Sequence, residues 1–96
     1  MRSPLRVRFE WDEKKERANV AKHGVDFTEA QDAFLDSERI LLKDITHSES
    51  EPRLFCIGQT ERGILTVRYT RRRGQIRIIG AGYWRKGKRI YEEENR

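Results

Sequence analysis

The sequence predicts a single α+β domain, and three observations support this class. The chain has 96 residues, of which 35% are hydrophobic and 39% are charged, so it can bury one small core. Helical spacing of apolar residues is found early in the chain, whereas alternating patterns dominate residues 53–81. Segregated helices and strands are typical of α+β folds, and short turns between the later strands indicate an antiparallel meander. We expect residues 1–96 to form this one domain.

The amino-terminal part is predicted to form one strand and two helices. Residues 6–11 alternate between apolar and charged side chains, as in a half-buried strand. Asp12 is placed to cap a first helix, and Gly24 suits the left-handed position that ends it. Asp26 begins a second helix with capping-box spacing, and apolar residues recur at helical spacing from there to about Asp36.

The remaining residues are predicted to form four strands and a final helix. We expect the strands at residues 39–43, 53–60, 64–71 and 75–81, and the helix at about residues 85–95. Tight turns at Glu61–Gly63 and at Arg72–Gly74 join the last three strands. Residues 44–52 are polar apart from Ile45 and therefore indicate a loop.

Positive charge is concentrated in the second half of the sequence. Between Arg62 and Tyr91 there are ten basic residues and no Asp or Glu, whereas the rest of the chain holds 11 basic and 16 acidic residues. This asymmetry predicts a polyanionic partner, best matched by nucleic acid; the alternative is a solvated face that only aids solubility. Tyr83 and Trp84 lie in this run, where aromatic rings stack on bases, although burial under the last helix fits Trp84 equally well. The basic residues expected to bind the nucleic acid are Arg71, Arg72, Arg73, Arg85, Lys88 and Arg89.

The last hairpin is predicted to hold two arginines on an open sheet face. A two-residue turn at Arg73–Gly74 pairs Thr70 with Arg77 and leaves Arg68 diagonally opposite Arg77, about 7–8 Å away. Guanidinium groups bind phosphate oxygens through a planar fork, so Arg77 is the first candidate for stabilising phosphate charge and Arg68 the second. The alternative is that carboxylates from the Asp44–Glu51 loop pair with these arginines across the strands.

Several other classes of protein are disfavoured. No stretch approaches the roughly 20 apolar residues of a membrane span. Cys56 is the only cysteine and reads as a small buried side chain, so a disulfide scaffold is excluded. No apolar segment follows the first residues, which argues against a secretory signal and predicts a reduced, cytoplasmic protein. Asp44, His47, Glu49 and Glu51 match no familiar ligand spacing, so we expect no metal and no cofactor.

Three groups of residues form an ordered set along the chain: Phe9–Asp12, Lys15, Asn19–Val25, Phe27 and Ala30; then Asp44, His47–Ser48, Glu51, Arg53 and Ile57–Gly58; and finally Ile76–Ala81 with Tyr91–Glu92. In this set the sequence resembles the BrnT-like toxin family over about residues 8–93. One segment departs from the family pattern. Where many members carry a Ser-Ala-Arg-like run, this chain has Gly80–Gly82, and Arg85 or Lys86 is the candidate to replace the missing charge.

The resemblance implies both a fold and a function. The implied fold is similar to that of RelE-type ribonucleases. The implied function is that of an endoribonuclease toxin of a type II toxin–antitoxin system, with RNA as the substrate. The implied partner is a BrnA-like antitoxin, through which alone the toxin would contact operator DNA.

A ribonuclease that works without a metal uses the RNA 2′-hydroxyl as nucleophile. It needs a base, an acid and a cation that stabilises the phosphorane. Arg77 and Arg68 are the candidates for the cation. His23 is the candidate base because imidazole titrates near neutral pH; the alternative is a histidine that caps its own helix. Tyr83 or Lys86 is the candidate acid. Because no acid–base pair is unambiguous, the alternative function is a non-catalytic module that binds nucleic acid or antitoxin.

Overall fold

The computed structural model describes residues 7–46 and 51–96, which form a five-stranded sheet with helices on both faces. The elements in chain order are β1 (Phe9–Trp11), α1 (Glu13–His23), α2 (Phe27–Ala30), a 3₁₀ helix (Gln31–Leu35), β2 (Ile40–Asp44), β3 (Arg53–Thr60), β4 (Gly63–Arg72), β5 (Gln75–Gly82) and α3 (Arg85–Glu94). Across the sheet the order is β1-β5-β4-β3-β2. The predicted α+β class is therefore confirmed.

The sheet is mixed rather than antiparallel throughout. Strands β2 to β5 form the antiparallel meander that the short turns predict. Strand β1 instead joins the far edge parallel to β5, with Phe9 opposite Ile76. The sequence analysis did not predict this parallel pairing. The reason is that no hairpin turn links β1 to β5, so no local signal fixes the direction of β1.

The helix ends follow the predicted capping residues. The Asp12 carboxylate accepts hydrogen bonds from the amides of Lys14 and Lys15 at 2.7 and 3.3 Å, and Gly24 ends α1 at a φ of 69°. The predicted second helix is divided into α2 and the 3₁₀ helix. That 3₁₀ helix packs so closely on β3 that a Cβ at Gly58 would overlap a backbone carbonyl. Tertiary packing thus selects the tighter turn, which the apolar spacing alone did not reveal.

The main core lies between the sheet and the layer formed by α2, the 3₁₀ helix and the segment before them. Its fully buried side chains include Val25, Phe27, Ala30, Ala33, Leu65, Val67 and Ala81. Cys56 belongs to the same layer, and burial raises the pKa of its thiol to about 12. The prediction that Cys56 is a small buried side chain is therefore confirmed.

Helix α3 covers part of the opposite face of the sheet. Tyr91 packs there on Ile57 and donates a 2.5 Å hydrogen bond to Asp36, which ties α3 to the segment before β2. Helix α3 packs on β3 and β4, whereas α1 packs along β5. None of the helices in the described part of the chain is long and apolar enough to cross a membrane.

Candidate nucleic-acid interface

The sheet face that α3 partly covers carries a row of polar side chains. Along β4, alternation places Thr66, Arg68 and Thr70 on this face, opposite the core residues. Thr70 lies beside Arg77, as the turn at residues 73–74 predicts. A bulge between Arg68 and Tyr69 then shifts the register, so that Arg68 lies beside Gly80. The two arginines share the face, as expected, but the bulge inserts an extra residue of β5 between them.

Four depressions cross this face from the hairpin to α3. Their basic residues and the neighbours that matter here are, in order, Arg72, Arg73 and Arg77; Lys15, Arg53, Arg72 and Arg77; Lys15, Lys22, His23, Arg68 and Trp84; and Thr66, Arg68, Trp84 and Lys86. Carboxylates also line three of the depressions: Glu10 the first, Glu51 the second and Asp44 the fourth. Each depression shares residues with the next, so together they form one path. We call this path the cationic track and define it by Lys15, Lys22, Arg53, Arg68, Arg72, Arg77 and Lys86.

Arg77 is held in place by a cross-strand ion pair. Glu10 lies directly opposite it on β1, and the two side chains approach to 3.4 Å. The Arg77 side chain remains 29% exposed and reaches the track. The loop carboxylate Glu51 pairs instead with Arg72 at 2.8 Å, and this hydrogen bond lowers the pKa of Glu51. Among the described residues, a loop carboxylate therefore pairs with Arg72 at the hairpin, whereas Arg77 pairs with Glu10 of β1.

Arg68 differs because, among the residues that the structure describes, its Nε is buried without a hydrogen-bond partner. Within the same ranges the hydroxyls of Thr66 and Thr70, two positions away on either side, are also buried and unpartnered. In the described ranges, no carboxylate lies within ion-pair distance of Arg68. A buried donor without a partner costs about 1–3 kcal/mol. Three such groups in one row are a distinctive feature of this part of the track.

Helix α1 forms one wall of the track because Asn19 fastens it to the edge of β5. The Asn19 amide donates to the carbonyls of Val25 and Ala81, both at 2.9 Å, and its oxygen accepts from the Ala81 amide at 3.1 Å. This arrangement turns Lys15 and Lys22 towards the sheet. Sequence reasoning did not include these two lysines in the site. Lys15 lies four residues before Asn19 and Lys22 three residues after it, so all three share one face of the helix. This spacing was the signal by which the sequence could have placed the two lysines in the site.

His23 lies at the end of α1, beside Arg68 in the third depression. Its ring meets the Trp84 indole edge-on, with centroids 5.2 Å apart. The cap of the helix is Gly24, whose amide bonds to the carbonyl of Val20. The structure thus brings His23 and Arg68 together on the track.

Tyr83 lines none of these four depressions. Its hydroxyl donates to Glu29 at 2.6 Å and shares a 2.7 Å hydrogen bond with Thr60. Arg62 stacks over the ring and pairs with Glu29 at 2.9 Å. Burial, followed by the bond to Glu29, raises the pKa of the Tyr83 phenol. These contacts direct the hydroxyl to the α2 side of the molecule, away from Arg68.

The other predicted RNA-binding residues are distributed around the track. Lys86 lines the groove beside α3. Arg85, Lys88 and Arg89 are exposed along that helix, and Arg71 and Arg73 are exposed at the hairpin.

The sequence difference at position 82, where this chain has Gly82, is accompanied by a difference in packing. The indole of Trp84 covers Gly82 so closely that a Cβ there would overlap the ring. A side chain at position 82 and the observed position of Trp84 are therefore mutually exclusive.

Metal-binding residues are not grouped in the part of the chain that the structure describes. Within residues 7–46 and 51–96, no three His, Cys, Asp or Glu side chains are close enough to hold an ion. The residues His47 and Glu49, considered with Asp44 and Glu51 above, lie outside the described residues.

The structure is a small α+β domain whose sheet face carries a row of arginines and lysines. Comparison with family models then identifies the family: residues 11–87 match the model described as ribonuclease toxin, BrnT, of type II toxin–antitoxin system. This match covers most of the 96 residues, so the chain belongs to the BrnT family. Membership implies RNA as substrate and an antitoxin as partner. No curated protein matches the chain.

Proposed function

We propose that this protein is an endoribonuclease toxin that cuts RNA on the cationic track, without a metal, by attack of the 2′-hydroxyl on the adjacent phosphate. The observation that carries this proposal is the position of Arg68, which forms no ion pair with a described carboxylate, within a row of basic side chains. A path of this kind binds the phosphates of a strand in succession. Family membership supports RNA as the polymer.

Two arginines stabilise the phosphorane charge in this proposal. Arg77 is oriented by Glu10 and presents its remaining donors to the track. Arg68 forms no ion pair with a described carboxylate, so its guanidinium is available for a phosphate oxygen. Cations fixed where charge develops contribute about 10²–10³ to the rate of such reactions.

The two proton transfers are assigned to groups on either side of Arg68. His23 shares one depression with Arg68 and is the proposed base, which takes the proton of the 2′-hydroxyl. Lys86 shares the neighbouring groove with Arg68 and is the proposed acid, which protonates the leaving 5′-oxygen. We assign no proton transfer to Tyr83, because its hydroxyl is bonded to Glu29.

The antitoxin is proposed to be BrnA-like and to act by covering the track. An acidic or amphipathic segment would complement the lysines and arginines of the track and exclude RNA from it. Operator DNA would then be contacted only through the antitoxin. We also propose a relationship to RelE-type ribonucleases, supported by the order of helices and antiparallel strands, and a place of action in the cytoplasm.

The test is the chemistry of the RNA ends. Purified protein is incubated with single-stranded RNA in EDTA, beside an Arg77→Ala variant purified identically to control for contaminating nuclease. The proposal predicts 2′,3′-cyclic phosphate ends that the variant does not produce. RNA that is bound but left intact would instead favour the non-catalytic module. Cleavage that requires added metal would contradict the proposed mechanism.

A further inference from the structure

The indole of Trp84 lies with one face on the sheet. A Cβ built on Gly82 would come closest to Cε2 of the indole, followed by Cζ2 and Nε1, the two atoms bonded to Cε2 on its outer side. An approach in the plane of the ring would bring Cζ2 and Nε1 closer than Cε2, so the Gly82 backbone lies against a face of the indole. Gly82 is paired with Thr66 of β4, which places this contact on the track side of the sheet.

The opposite face of the indole is turned towards the cationic track. Trp84 is half-buried and lines the third and fourth depressions, which also share Arg68. His23 meets the ring edge-on, with centroids 5.2 Å apart, so the indole is supported from the side as well as from below. A flat aromatic surface that is fixed from behind and accessible from the front is suited to stacking on a nucleobase.

Cations surround this aromatic surface. Arg68 lines both depressions together with Trp84, while Lys22 lines the third and Lys86 the fourth. Each nucleotide of a strand carries a phosphate and a base. A strand whose phosphates follow these cations therefore brings its bases within reach of the indole. The surface thus complements a nucleotide in both its charged and its aromatic part.

The groove beside α3 suits a base better than it suits a phosphate. It measures about 410 Å³, and Leu42, Phe55 and Ile90 line it together with Trp84. Buried Asp44 lines it as well. Apolar side chains and a carboxylate disfavour an anion at this place, whereas a neutral, flat base fits an apolar site with a few polar groups.

We propose that Trp84 stacks on an unpaired base of the RNA strand, beside a phosphate held at Arg68. The protein then selects single-stranded over paired RNA, because a base inside a duplex does not present its face. Gly82 is the second part of this site, since a side chain there would displace the indole. RNA as the polymer rests on the proposed function, whereas the stacking surface rests on the contact of Trp84 with Gly82.

The stacking surface is tested by NMR on the full chain labelled with ¹⁵N. The chain has two tryptophans, so its spectrum contains two indole resonances, and Trp84→Phe identifies the one that belongs to Trp84. The probe is a 2′-O-methyl single-stranded oligonucleotide, which binds but cannot be cut through its 2′-oxygens. We expect the Trp84 resonance to shift on titration, whereas that of Trp11, which packs on Phe27, should stay in place. An abasic oligonucleotide of the same length should shift the Trp84 resonance far less.

Binding affinity gives a second measurement. Trp84→Leu should weaken binding of the oligonucleotide about tenfold, within the contribution of one stacked base, and Trp84→Phe should retain most of the affinity. The abasic oligonucleotide should bind equally to the wild type and to Trp84→Leu. Tyr83→Leu is the matched control, because it removes the neighbouring ring of the same basic run, which lines none of the four depressions. It should leave the affinity unchanged once circular dichroism shows that the variants are folded.

The other outcomes separate this inference from the proposed function. Shifts of the Trp84 resonance that are as large with the abasic oligonucleotide, or with a duplex of the same sequence, would overturn the stacking proposal. Equal affinity of the wild type and Trp84→Leu for the single strand would overturn it too. Equal shifts with polyglutamate would assign the surface to a protein partner instead. The expected shifts in a protein that never cleaves RNA would contradict only the proposed function, and cleavage without them would contradict only the stacking.

Discussion

Replacing Asn19 should uncouple α1 from the sheet at a cost that the structure allows us to work out. Asn19 is 8% exposed and makes three hydrogen bonds of 2.9, 2.9 and 3.1 Å to backbone groups. Each contributes about 0.5–1.5 kcal/mol net, and their loss leaves the amide and carbonyl of Ala81 in a buried place without partners. We therefore expect Asn19→Ala to lower the free energy of unfolding by about 2–4 kcal/mol.

The assay is urea denaturation followed by far-UV circular dichroism, with Asn95→Ala as the matched control. Asn95 also donates two side-chain hydrogen bonds to carbonyls, at 3.2 and 3.1 Å, but it is exposed at the end of α3. Its replacement should cost less than about 1 kcal/mol, because water can replace both bonds. A loss for Asn19→Ala that does not exceed the loss for Asn95→Ala would refute the reasoning. RNA affinity should fall as well, because α1 carries Lys15 and Lys22.

Two further substitutions test the packing around the track. Gly58→Ala should lower the free energy of unfolding by about 3 kcal/mol, because its Cβ would overlap the backbone carbonyl of Ala33; unchanged stability in urea would contradict this. Tyr91→Phe should reduce the alkaline loss of stability. The hydrogen bond to Asp36 raises the pKa of Tyr91 to about 12, so its stabilising effect is complete below pH 10 and lost as the pH rises to 12. Thermal unfolding across this range should show a smaller loss in the variant than in the wild type, in which Cys56 and Tyr83 contribute to the loss as well; equal losses would contradict this.

Local signals predicted the parts of the fold that depend on neighbouring residues. Asp12 and Gly24 bound α1 as expected, since capping depends on a few adjacent side chains. The turn at Arg73–Gly74, where both residues have positive φ, fixed the pairing of Thr70 with Arg77. These features follow from chemistry within a few residues along the chain.

Features that depend on distant contacts were not predictable in the same way. The parallel pairing of β1, the division of the second helix and the bulge at Arg68 each result from packing between elements far apart in sequence. For the same reason the Asn19 contacts with Ala81 were missed, and with them the wall of the track that α1 provides. Tyr83 is a candidate acid by its place in the basic run, but its hydroxyl donates to Glu29 on the α2 side of the molecule.

The central claim is that RNA is cut on the cationic track, and a charge-matched pair of variants tests it most directly. Arg68→Gln and Arg62→Gln each remove one positive charge, but Arg62 lies on the α2 side and pairs with Glu29. We predict that RNA cleavage under identical conditions falls at least about 100-fold in Arg68→Gln and stays within about twofold in Arg62→Gln. Equal cleavage by the two variants, once circular dichroism shows both to be folded, would contradict the account.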